Sequence, residues 1–101
     1  MTSLKAQRDG ADLTELATPL QLAELLHTAT EFVVVERGTG AFAQAAVSGR
    51  HWVVEVVDQP ELRRGVRADA PNTDAAYDLL RSWCTGDGWW AEAVTWRPFE
   101  I

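Results

Sequence analysis

Between residues 31 and 58 the chain alternates apolar runs with glycine turns: EFVVVERGTGAFAQAAVSGRHWVVEVVD. Residues 32–35 are aromatic and β-branched, which predicts a strand. Gly38-Thr39-Gly40 predicts the turn that follows it. Residues 41–47 are rich in Ala, a helix former, yet lie between two glycine turns and two Val-rich runs. That context predicts a second strand. Ser48-Gly49-Arg50-His51 predicts another turn, and residues 51–58 a third strand. Gln59-Pro60 turns the chain again, and residues 62–68 read as a fourth strand whose three Arg suit an edge or a half-exposed face.

On either side the apolar period changes from two to 3.6 residues. Thr18-Pro19-Leu20-Gln21 combines a capping Thr, a Pro at the first helical position and a Gln that closes a capping box. Leu22, Leu25, Leu26 and Ala29 then form one stripe, predicting a helix over about 18–28. Asn72 or Thr73 caps a second helix with the stripe Ala76, Leu79, Leu80 and Trp83, and Gly86 stops it. Asp87-Gly88-Trp89-Trp90 reads as a loop, and 91–99 as a last strand limited by Pro98. Residues 1–16 are polar and mixed in charge and read as a flexible tail. The expectation is a single α+β domain over 17–101: an antiparallel meander of four to five strands with two helices on one face.

Turn lengths set the register. A two-residue turn at Gly49-Arg50 places Gln44 opposite Glu55. A three-residue turn at 38–40 places Val34 opposite Gln44, and a two-residue turn at Gln59-Pro60 places Glu55 opposite Arg64. One face then carries Phe32, Val34, Glu36, Phe42, Gln44, Val53, Glu55, Val57 and Arg64. The other carries Val33, Val35, Ala41, Ala43, Ala45, Val47, Trp52, Val54 and Val56, a floor low enough for both helices. The row Gln44, Glu55 and Arg64 has two readings. It is either a structural ion pair with an amide, or, with Phe42, part of a recognition surface.

Composition narrows the function classes. Nine Lys+Arg stand against fifteen Asp+Glu, a net charge of −6, which argues against a nucleic-acid binder and favours a basic partner. The five Trp supply large rigid surface, and Trp89 and Trp90 are candidate anchors for a protein partner, although Trp is more often core. The single Cys84 forms no internal disulfide, and with His27 or His51 it makes a poor nucleophilic pair, since nothing near it in sequence lowers its pKa. The two His and one Cys lack metal-ligand spacing, and Gly38-Thr39-Gly40 sits between strands rather than before a helix. No catalytic residue, metal or cofactor is expected. No apolar run is of spanning length and the N-terminus has no signal-peptide core, so the expected compartment is the cytoplasm, without a membrane partner.

The strand HWVVEVVDQP with Trp52 and Glu55, the helix TDAAYDLLRSWC and the terminal GDGWWAEAVTW resemble the Imm1-type immunity proteins of bacterial polymorphic toxin systems, over about residues 18–98. The resemblance implies a non-enzymatic protein that neutralises a cognate, commonly basic toxin by stoichiometric binding. Two other readings stand beside it: a small ligand- or peptide-binding regulatory domain using the same sheet face, and an acidic nucleic-acid mimic that inhibits a DNA-binding protein.

Overall fold

A computed structural model describes residues 4–101. The strands are β1 (Leu4–Arg8), β2 (Thr14–Glu15), β3 (Phe32–Arg37), β4 (Phe42–Ser48), β5 (His51–Val57), β6 (Arg64–Ala70) and β7 (Arg97–Glu100). The helices are α1 (Pro19–Thr28), α2 (Thr73–Thr85) and α3 (Trp89–Ala93), and a 3-10 turn covers Pro60–Leu62. All strand pairs are antiparallel in one seven-stranded sheet of order β2-β1-β3-β4-β5-β6-β7. The fold class is therefore α+β, with more strands than the four to five expected.

The helices begin and end where their caps dictate. Thr18 Oγ1 accepts from Gln21 N–H at 3.3 Å, and Gln21 Oε1 accepts from Thr18 N–H at 3.0 Å, the reciprocal pair that satisfies two orphan donors. Asn72 Oδ1 accepts from Ala75 N–H, and Gly86 closes α2 in the left-handed region at φ 74°. Leu22 and Leu26 of α1 and Ala76, Leu79, Leu80 and Trp83 of α2 are buried. They pack on the expected floor, where Val33, Val35, Ala43, Ala45 and Val54 are fully buried. Ala side chains on β4 let α2 approach closely, so tertiary packing overrides their helix propensity.

Four expectations are corrected. Residues 4–16 are not a tail: β1 pairs with β3 from Leu4↔Arg37 to Arg8↔Val33, and Ala6 is buried. Only the first three residues of that stretch lie outside the described part. The signal was thin because LKAQR offers just Leu4 and Ala6 to the core, two small steps of a period-two pattern. The loop at Trp89-Trp90 is instead the short helix α3, entered through Gly88 in the left-handed region at φ 81°, with the Asp87 carboxylate accepting from Trp89 N–H at 2.9 Å. The last strand is β7 rather than 91–99, and the fourth strand of the meander begins at Arg64 and ends at Ala70.

Two polar ties lock these pieces. Asp9, at φ 52°, accepts from the N–H groups of Thr30, Glu31 and Phe32 at 2.7–2.9 Å, joining the β1–β2 corner to the start of β3. The Arg37 guanidinium lies 4.0 Å over the Trp83 ring, and Trp83 Nε1 donates to Asp58 at 2.8 Å, so β3, α2 and the end of β5 are held together. No helix among the described residues is long and apolar enough to cross a membrane.

Candidate binding face

Helices cover one side of the sheet, and among the described residues no element covers the other. Pairing fixes what that open side shows. Gln44 stands opposite both Val34 and Glu55, and Ser48 opposite His51, as the turn lengths predict. Phe32, Val34, Glu36, Phe42, Gln44, Val53 and Glu55 are all half-buried there, sheltered by their neighbours but under no second layer.

The cation of the central row is not the one expected. Glu55 stands opposite Arg67 and bonds it, while Arg64 stands opposite Glu100 of β7 in register without an ion pair. The expected two-residue turn at Gln59-Pro60 is really a longer connection. Pro60 starts the 3-10 turn and Arg63 follows in the left-handed region at φ 55°. The register moves by three positions, an odd number, so Arg64 passes to the helix side of the sheet and Arg67 takes the open side. A second Arg three residues on from Arg64 was the only sequence sign of this alternative.

The network itself is complete. Gln44 Nε2 donates to one oxygen of Glu55, while Arg67 donates to the other through Nε at 2.9 Å and through Nη2. Arg67 also lies 4.7 Å over the Phe99 ring. The Glu55 side chain is only 14% exposed and Arg67 42%, so the acid is sheltered and the guanidinium still offers donors outward. Phe99 was not foreseen as part of this face. Gly65 makes room for it: a Cβ there would sit 2.9 Å from Val57 Cγ2 and 3.0 Å from Phe99 Cε1. Phe42, Val57 and Phe99 therefore form an apolar row beside the polar one, and Phe32, Ala46 and Val53 a row on its other side.

Trp89 and Trp90 belong elsewhere. Trp90 packs edge-to-face on Trp96 at 5.4 Å, and its N–H donates to the buried Ser82 Oγ at 2.8 Å. It closes the helix side of the core, with half-exposed Trp89 beside it on α3. Of the six residues singled out from sequence, the structure brings Phe42, Gln44 and Glu55 together and separates Arg64, Trp89 and Trp90 from them. Cys84 is half-buried, and burial pushes its thiol up to about 11, only partly opposed by Arg37, so at neutral pH it is protonated. Among the described residues, no three His, Cys, Asp or Glu side chains are grouped to hold a metal ion.

Both ends of the sheet are blunted. β2 has only two residues. On β7, Ile101 N–H donates to Arg63 C=O, and the alternation this sets turns the nitrogen of Pro98 outward, where no N–H is missed. Strand addition at these edges is disfavoured, and the open face is the broad surface that remains. No family model, curated protein or solved structure matches the chain.

Proposed function

We propose that the chain is a non-enzymatic protein-binding module that presents the open face of its sheet to a basic partner, in the manner of an immunity protein neutralising a cognate bacterial toxin. One observation carries the reading. A sheet face with no second layer holds half-exposed Phe32, Phe42 and Phe99 around a preformed Gln44–Glu55–Arg67 network. Aromatic side chains around rigid, already paired polar groups are the composition of a binding surface whose ordering cost is low before the partner arrives. The net charge of −6 supplies the long-range attraction that speeds encounter with a basic protein.

The test is whether a toxin-like protein is encoded beside this chain, and whether the chain protects growth against it and forms a 1:1 complex with it. Phe42→Ala and Glu55→Lys should each weaken that complex by at least about tenfold while keeping the wild-type circular dichroism. A complex indifferent to both substitutions places the contact elsewhere, and absence of growth protection removes the immunity reading.

A further inference from the structure

Once Arg67 takes Glu55, Arg64 is left without a partner. It is exposed and forms no ion pair among the described residues, even with Glu100 directly across the β6–β7 pair. Its side lines a groove of about 450 Å³ on the helix side of the sheet. Val56 and Val66 come from the sheet, Leu62 from the 3-10 turn, Trp90 from α3 and Pro98 from β7. The groove exists because α3, five residues long, is too short to roof β6 and β7.

Exposed apolar side chains lie on or next to the segments that form this groove. Leu62 is 48% exposed, Trp89 beside Trp90 is 50%, and Ile101, bonded opposite Arg63, is 57%. The one carboxylate in the lining, Asp58, already accepts from Trp83 Nε1 and pairs with Arg37 at 3.8 Å. The cation is thus free, one oxygen of the acid is already taken by Trp83 and Arg37, and Val56, Leu62, Val66, Trp90 and Pro98 supply apolar surface beside Gln59.

We propose that this groove binds a small organic anion with an apolar body, an aryl or branched-chain carboxylate. Its volume lies in the range of small-ligand sites. The body would displace water from Trp90, Leu62 and Val66, which is favourable in proportion to the apolar area covered. The carboxylate would meet the planar fork of Arg64, whose geometry suits two parallel charge-assisted hydrogen bonds. The site lies across the sheet from the protein-binding face and does not depend on that reading.

The probe is 3-phenylpropionate, titrated into the isotope-labelled full chain and followed by amide and indole chemical shifts. Saturable shifts are expected at the Trp90 indole and at Gly65 and Val66, with a Kd on the order of 1 mM for a ligand of this size. The neutral 3-phenylpropanamide, and the acid against Arg64→Gln, should each bind about tenfold more weakly or worse. The variant's circular dichroism should match wild type, since Arg64 is exposed. The proposal is overturned if no groove resonance saturates by about 10 mM, if acid and amide bind alike, or if Arg64→Gln binds the acid as wild type does.

Discussion

Asp9 shows how much one half-buried carboxylate can organise. Its oxygens take three backbone N–H groups and the Thr30 hydroxyl, and those bonds hold its pKa down at about 2, below the ordinary 3.8. A carboxylate depressed in the folded state adds stability that is fully present above its unfolded pKa and is lost as pH falls through the folded value. The window is therefore from about 3.8 down to about 2. Asp9→Asn should flatten the dependence of stability on pH in that window, measured by urea melts at a series of pH values. An unchanged slope would mean the clamp carries none of the acid sensitivity. Gly65 makes the opposite point, a residue chosen for what it lacks. A Cβ at this position would lie 2.5 Å from the Val56 carbonyl oxygen, a backbone atom that cannot swing away. Gly65→Ala should lower unfolding stability by about 1–3 kcal/mol through overpacking, read from the denaturation midpoint.

At the level of elements, β1 is the piece whose importance is least evident from its composition. It lies inside the sheet, between β2 and β3, with Ala6 buried beneath α1. Deleting residues 1–16 would expose the edge of β3 and one flank of α1's apolar stripe. The truncated chain should unfold at a lower urea midpoint and associate more readily, as seen by light scattering, because a long Val-rich edge is a template for pairing. A truncated chain as stable and monodisperse as the full one would show β1 to be dispensable. The latch on α2 is the other element-scale dependence. Trp83 is 1% exposed, carries Arg37 on its face and donates to Asp58. Trp83→Ala should cost about 3–5 kcal/mol, enough to unfold much of a domain this small, whereas Trp83→Phe keeps most of the ring volume and loses chiefly the hydrogen bond.

For the molecule as a whole, the arrangement is a sheet with one roofed side and one bare side, blunted at both ends. On the proposed function, that asymmetry leaves the bare side as the surface a macromolecular partner would meet. Association with a basic partner should slow steeply as salt rises from about 0.05 to 0.5 M, while the dissociation rate changes little, because the screened interaction is the long-range one. Stopped-flow mixing against the captured partner reads both rates. An on-rate insensitive to salt would remove the charge argument while leaving the surface itself to be tested by the Phe42 and Glu55 variants.

Much of this fold is local and could be read residue by residue. The caps Thr18 and Asn72, the stripes of α1 and α2, and the two glycine turns act over a few positions, so the Gln44–Glu55 pairing and the side chosen by both helices follow from sequence. The rest depends on contacts between distant segments. LKAQR has no strong propensity and becomes a strand only because β3 offers it a row of hydrogen-bonding groups. The length of the turn after β5 is set by how Pro60, Leu62 and Arg63 pack, and three positions there decide whether Arg64 or Arg67 meets Glu55. Which Trp stays exposed likewise rests on where α3 lands. Periodicity and capping are properties of neighbours along the chain; register across a non-tight turn and the covering of a surface are properties of the assembled layers, and only the tertiary structure decides them.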